Sequence, residues 1–289
     1  MANSVFAYGS NTNRSDFFER AGIDLAPYQS NIAILPSHKL GFTRFAPSRN
    51  GGVLDIVPDD LAVVPGVLYQ GVPDSVLERM DRKEGVNKED VHKGAYRRKS
   101  VYVWNTNSLH FEQAYTYQVV NPTRHVVPAD SYVDIVKAGM NDFCLPSSIL
   151  DVIRKDEHYP MHEIFRWILN GMDQGDSFSQ GFTRELEWGG EGFSVSFKPN
   201  KNTTKSEFYP DVTYIQRPSS EVARIVDFLY FIMCFMQNNK RFHPLDYRVV
   251  IGHIGDWLTD AQGKDMDELS RVIANNTTVL IEKIAQKNM

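Results

Sequence analysis

Phe6-Ala7-Tyr8-Gly9-Ser10-Asn11 is the stretch that organises the reading of this chain. Val5 to Tyr8 reads as a short buried strand, and Gly9 breaks it at once. A buried strand that turns toward a helix at a glycine leaves successive backbone N–H groups facing outward. Such groups form a small concavity suited to a carboxylate or a developing oxyanion, and Ser10 and Asn11 add donors. Taken alone, Tyr8 to Asn11 is also what an ordinary strand-to-turn junction looks like.

The second element is Asp81-Arg82-Lys83-Glu84-Gly85-Val86. Ser75-Val76-Leu77-Glu78 fits a capping box, Val76, Leu77 and Met80 share one face, and Gly85 ends the helix. Glu84 therefore falls in the last turn, where the negative end of the helix dipole disfavours a carboxylate. With water excluded, that position is expected to raise its proton affinity toward the range a general base or acid needs. The plain alternative is a solvated glutamate beside Arg82 and Lys83.

Outward from these two motifs the pattern is strand-rich. A short helix spans 15–21 and closes at Gly22. Strand-like runs follow at 32–35, 40–45, 53–57 and 62–69, separated by turns at Gly51-Gly52 and Pro58-Asp59-Asp60. Strands resume at 96–104 and 111–120, and helices at 130–140 and 147–155. Six or so strands with few helices between them predict a mixed, partly closed, barrel-like sheet with flanking helices, an α+β arrangement.

Beyond Asp156 the character changes, and a domain boundary is placed there: 1–155 and 156–289. The second part reads as a mostly helical α+β domain. Helices are expected at 158–171, 219–238 and 265–287, with a hairpin at 185–198 around Gly189-Gly190-Glu191-Gly192 and a polar loop at 199–204. The 219–238 helix is apolar almost all round from Ile225 to Met236, which marks a buried centre, and Phe228, Tyr230, Phe231 and Phe235 read as core. His158, His162 and Glu163 are spaced like ligands on a helix, but Pro160 intervenes and no third ligand is evident.

Composition narrows the function classes. Through Lys155 the chain carries 17 basic and 17 acidic residues, and beyond it 14 and 19, so the net charge of −5 lies in the second part. Arg97-Arg98-Lys99 is the densest basic run, too little for a nucleic-acid footprint. Cys144 and Cys234 are two isolated cysteines, which excludes a disulfide framework or a zinc ribbon. No signal peptide is legible, and Phe228 to Met236 is too short to span a bilayer, so a cytoplasmic protein without membrane association is expected.

The pairing of Phe6-Ala7-Tyr8-Gly9-Ser10-Asn11 with Glu84-Gly85-Val86 after a central helix resembles the gamma-glutamylcyclotransferase family. Further matches arrive in order: Gly51-Gly52-Val53, Pro65-Gly66-Val67-Leu68-Tyr69, Tyr96, Tyr117 within Ala114-Tyr115-Thr116-Tyr117, and Pro128-Ala129-Asp130-Ser131-Tyr132. The resemblance covers residues 3–155. It implies 5-oxoproline-forming chemistry, a lyase or acyltransferase activity of glutathione metabolism, with Glu84 as the proton-transferring residue. It further implies substrate binding by Tyr8, Gly9, Ser10, Asn11, Gly52, Tyr96, Tyr117 and Tyr132, with no metal and no organic cofactor. The partner it implies is a small gamma-glutamyl compound.

Two departures bear on this. The stretch Asn87 to Gly94 is longer than in compact family members, and a whole second part follows residue 155. Three readings stay open: a cyclotransferase acting on a small gamma-glutamyl amine or peptide; the same chemistry on a linkage within a protein or specialised metabolite; and a non-catalytic ligand-sensing module. The second part is expected to serve a protein partner, self-association or substrate selection.

Overall fold

Strand β1 (Ala2–Ala7) opens the N-terminal architecture of this computed structural model. The structure describes residues 2–90, 92–108, 110–170, 187–190, 193–199, 208–214, separate positions between 225 and 253, and 266–289. Two compact units divide the chain, Met1–Ile164 and Phe165–Met289.

In the first unit β1 is joined by β2 (Gln29–Ala46), β3 (Gly51–Pro73), β4 (Tyr96–Asn105) and β5 (His110–Val119). The five close into a barrel in the order β1-β3-β2-β4-β5. All pairings are antiparallel except the closing one, where β1 meets β5 in parallel at Val5 and Tyr115. The sheet is therefore mixed, as expected, and fully rather than partly closed. Phe6, Ile34, Ile56, Val64, Leu68, Val103 and Trp104 are among its buried residues.

Two pairs of predicted strands are single long strands. Pro58-Asp59-Asp60 was expected as a turn, yet β3 runs through it. Pairing with β2 steps from Pro36 and Val63 directly to His38 and Pro58, so residues 59–62 are accommodated as a bulge. Opposite it, Ser37 adopts φ 58°. Turn-forming residues here re-aim the ladder instead of ending it.

Helix α1 (Arg14–Ala21) starts at Asn13, whose side chain accepts from the Asp16 N–H at 3.0 Å, and stops at Gly22 with φ 62°. Helix α2 (Asp74–Lys83) ends as predicted, with Gly85 at φ 66°. Its capping box does not form: the N-cap position falls on Pro73, two residues before Ser75, and no side chain caps the helix. Asn3 instead ties that start to β1 by donating to Asp74 Oδ1 (2.9 Å) and Val72 O (3.1 Å). Helix α3 (Asp130–Asp142) crosses the loop after β1, and there a Cβ on Gly139 would stand 2.3 Å from Asn13 N. The predicted 147–155 and 158–171 helices are shorter, α4 (Ile149–Ile153) and α5 (Met161–Leu169).

In the second unit, strands Glu187–Gly190, Phe193–Pro199 and Phe208–Tyr214 form an antiparallel sheet in that order. Gly190 pairs with Phe193, so Gly189 and Gly190 belong to a strand, and the intervening 191–192 lie outside the described residues. The strand at 208–214 was not anticipated; of the loop predicted at 199–204, Pro199 ends a strand and 200–204 lie outside the described residues. Phe228, Phe231 and Phe235 are buried, and the Phe165 ring meets Phe228 at 5.4 Å, as a core cluster should; Tyr230 is not described. The chain ends in helix Met266–Lys287. Among the described residues, no helix is long and apolar enough to cross a membrane.

Candidate active site

The turn after β1 is a short 3-10 helix, Ser10–Thr12, whose first turn carries no side-chain cap. The Thr12 N–H bonds Gly9 O at 3.0 Å, which leaves the N–H groups of Ser10 and Asn11 for another partner, as at any helix start. Gly9 was expected to be needed for the turn. Its φ of −116° is one that other residues adopt, and a Cβ there would meet Leu54 Cβ at 3.6 Å and the Tyr132 hydroxyl at 3.7 Å. Glycine therefore keeps space open rather than permitting the turn. That space is a small pocket of about 40 Å³, lined by Phe6 to Asn11, Leu54, Glu84, Tyr96, Tyr117 and Tyr132.

Glu84 caps the C-terminus of α2, and its side chain is only 11 % exposed. It is not a solvated glutamate. Asn11 Nδ2 donates to Glu84 Oε1 at 3.0 Å, and Lys83 Nζ donates to the same oxygen at 2.8 Å. Lys83 Nζ also donates to Asn11 Oδ1 at 2.8 Å and sits 4.6 Å from the centre of the Phe17 ring. Asn11, Lys83 and Glu84 thus form a closed triangle. Oε2 carries no hydrogen bond among the described residues, which leaves it to the pocket. The carboxylate feels two opposed fields, the helix C-terminus and the Lys83 ammonium.

Four tyrosines complete the walls. Tyr8 donates its hydroxyl to the Tyr117 carbonyl, Tyr96 to Leu54 O at 3.2 Å, and Tyr117 to Asp81 Oδ1 at 3.0 Å. The Tyr132 hydroxyl accepts from the Leu54 N–H at 3.3 Å. Burial pushes all four phenols above their ordinary value, Tyr132 to about 12, and the carboxylates of Asp55 and Glu84 add to this at Tyr8 and Tyr96. All four stay protonated near neutrality. Arg49 holds Tyr132 from outside, 5.3 Å from the ring centre, while pairing with Asp16 at 2.7 Å.

Of the predicted site residues, only Gly52 lies elsewhere. It lies at the start of β3, its N–H bonded to Val127 O at 2.9 Å, and a Cβ would stand 2.0 Å from Val126 O. Its small size serves the approach of the 126–127 loop. Sequence reasoning missed Lys83, Leu54 and Asp81. Asp81 is 2 % exposed and shares with Leu77, Met80 and Glu84 the spacing of one helix face. An acid on an apolar stripe signals a partnered buried charge, which was legible.

A larger cavity of about 280 Å³ is lined in part by Leu40, Phe42, Val63, His125, Ile153 and Tyr159, and shares no lining residue with the small pocket. Its walls are mainly apolar, whereas the chemistry-bearing groups converge on the small pocket. On α5, His162 Nε2 lies 3.4 Å from Glu163 Oε1, and no three potential metal ligands come together among the described residues.

No protein-family model matches the chain, and no curated protein sequence matches it. Solved structures do. One described as a gamma-glutamyl cyclotransferase shares 22 % identity over 55 % of this chain and 90 % of its own, with a TM-score of 0.44. YkqA from Bacillus subtilis shares 23 % over 54 % of each chain, TM-score 0.45, so this chain spans about half the length of that protein. A yeast gamma-glutamyl cyclotransferase specific to glutathione shares 14 % over 54 % of this chain and 97 % of its own, TM-score 0.35. The N-terminal half is the part that is similar to them.

Proposed function

We propose that this protein is a gamma-glutamylcyclotransferase-type enzyme that converts a gamma-glutamyl amine or peptide into 5-oxoproline and the free amine. The observation that carries the proposal is the meeting of Glu84 with the 9–11 turn in one tyrosine-walled pocket, joined by the Asn11 to Glu84 hydrogen bond.

The chemistry follows from the groups present. The substrate's α-carboxylate and γ-carbonyl oxygen lie against the backbone N–H groups at the start of the 3-10 turn. Glu84 Oε2 takes a proton from the α-ammonium, and the freed amine attacks the γ-carbonyl carbon of the same molecule. The turn's donors stabilise the resulting oxyanion. Glu84 returns the proton to the departing nitrogen, the C–N bond breaks, and the ring nitrogen gives up its second proton through Glu84 to the freed amine, so that a neutral five-membered lactam leaves with an ammonium. The nucleophile belongs to the substrate, so the pocket's main task is orientation. Asn11 and Lys83 hold Oε1, which aims Oε2 at the reacting nitrogen. A pocket this small takes the gamma-glutamyl end and leaves whatever is attached to it at the mouth.

The test is 5-oxoproline release from a panel of gamma-glutamyl amino acids, gamma-glutamyl amines and glutathione by the full-length protein. Release from at least one class supports the proposal. A folded protein that releases none contradicts it.

A further inference from the structure

Three of the four tyrosine hydroxyls in the pocket have their direction fixed by their partners. Tyr8, Tyr96 and Tyr117 give their single protons to Tyr117 O, Leu54 O and Asp81 Oδ1, while Tyr132 accepts from Leu54 N–H. A phenol that has given its proton presents only lone pairs to anything else that approaches. Three of the four hydroxyls are therefore acceptors toward the pocket. At Tyr8 and Tyr96 the partner is a backbone carbonyl. At Tyr117 it is a side chain.

Asp81 is that side chain. Its Oδ1 takes the Tyr117 proton and its Oδ2 takes Arg98 Nη1 at 3.1 Å. Arg98 is itself held over the Tyr115 ring, 4.8 Å from its centre. A carboxylate only accepts, so the Tyr117 hydroxyl cannot reverse while Asp81 is paired in this way.

We propose that Asp81 is a positioning residue: by taking the Tyr117 proton it fixes the Tyr117 oxygen as an acceptor. With the Tyr8 and Tyr96 oxygens and Glu84, this makes the pocket selective for a cationic N–H donor, the α-ammonium of a gamma-glutamyl compound. The proposal rests on the cyclotransferase reading for the identity of that donor. The hydrogen-bond directions are independent of it.

Substituting Asp81→Asn gives a sharp consequence. Arg98 offers only donors, so it draws the new amide oxygen toward itself and turns the amide NH2 toward Tyr117. Tyr117 must then accept, and its proton turns into the pocket. Tyr117→Phe removes the hydroxyl altogether while leaving the Asp81–Arg98 pair and its charges in place; it costs Asp81 Oδ1 one hydrogen bond, and it reports on the same contact without changing the charge of any residue.

The experiment is calorimetric titration of L-glutamine and of glutaramate, which lacks only the α-amino group, into full-length wild type, Asp81→Asn and Tyr117→Phe. The readout is the ratio of the two affinities, which a general loss of stability does not move. Wild type should prefer L-glutamine by ~10-fold or more, the worth of hydrogen bonds to a charged group. Both variants should reduce that preference to about 3-fold or less on the same basis. An unchanged preference in either folded variant overturns the role of Asp81, and 5-oxoproline release by wild type would leave the cyclotransferase reading standing. The expected ratios without any 5-oxoproline release would keep the ammonium selectivity and remove the cyclotransferase reading. Failure of wild type to bind either probe overturns the inference.

Discussion

The side-chain amide of Asn11 donates to Glu84 Oε1 at 3.0 Å, joining the turn after the first strand to the end of a helix 73 residues later. The same Asn11 side chain accepts from Lys83, so one neutral residue fixes both the carboxylate and its counter-charge. Replacing Asn11 with Ala should lower kcat by ~10–100-fold, the range for a hydrogen bond to a charged group, with little change in thermal stability. Steady-state kinetics beside a melting curve check this. An unaltered kcat would mean that Glu84 needs no orientation from the turn.

Gly9 is tested by size. Because its backbone is not left-handed and a Cβ meets only ordinary contacts, Gly9→Ala should fold normally. A larger side chain there points at Leu54 and the Tyr132 hydroxyl and fills the pocket. Gly9→Val is therefore expected to raise KM by ~10-fold or more, the effect of losing one or two kcal/mol of ligand contact, while keeping a cooperative unfolding transition. Wild-type kinetics in Gly9→Val would show that the ligand binds elsewhere.

The loop–helix crossing at Gly139 leaves no room for a side chain, with Asn13 N at 2.3 Å and Thr12 Oγ1 at 2.6 Å from the position of a Cβ. Gly139→Ala should destabilise the first unit by about 1–3 kcal/mol through overpacking. Denaturant unfolding measures it. The variant should also lose activity out of proportion to its folded fraction, because the crossing sets the turn that lines the pocket.

Stability at high pH follows from the buried phenols. Burial raises Tyr132 from about 10 to about 12, so the folded state keeps a proton that the unfolded chain releases. The contribution is complete below the unfolded value and is lost as pH rises through the folded one. Between about pH 10 and pH 12, Tyr132 alone should cost about 2–3 kcal/mol of stability. Tyr132→Phe should remove that part of the alkaline loss, seen as a shallower fall of unfolding free energy across this window. The same slope in wild type and variant would contradict the assignment.

Local signals were legible wherever a single residue decides a boundary. Gly22 closes α1, Gly85 ends α2, and the strands expected at 96–104 and 111–120 lie within one residue of those bounds. Non-local facts were not. Closure depends on Val5 pairing with Tyr115, and nothing in either strand encodes the other. Pro58-Asp59-Asp60 has turn chemistry but is carried through as a bulge because the facing strand continues past Ser37. The motif residues converged on one pocket, yet Gly52 was drawn in by its neighbours and instead serves a loop contact. Lys83 read as a solvent-facing companion of Glu84, since its partner Asn11 is distant in sequence.

The most direct measurement is the rate of 5-oxoproline formation by Glu84→Gln against wild type under saturating gamma-glutamyl substrate. Gln keeps the size and the hydrogen bonding of Glu84 but cannot take a proton at neutral pH. A loss of kcat of ~100-fold or more, with an unchanged melting temperature, is the predicted result. A Glu84→Gln protein that forms 5-oxoproline at the wild-type rate would contradict the central role given to this carboxylate.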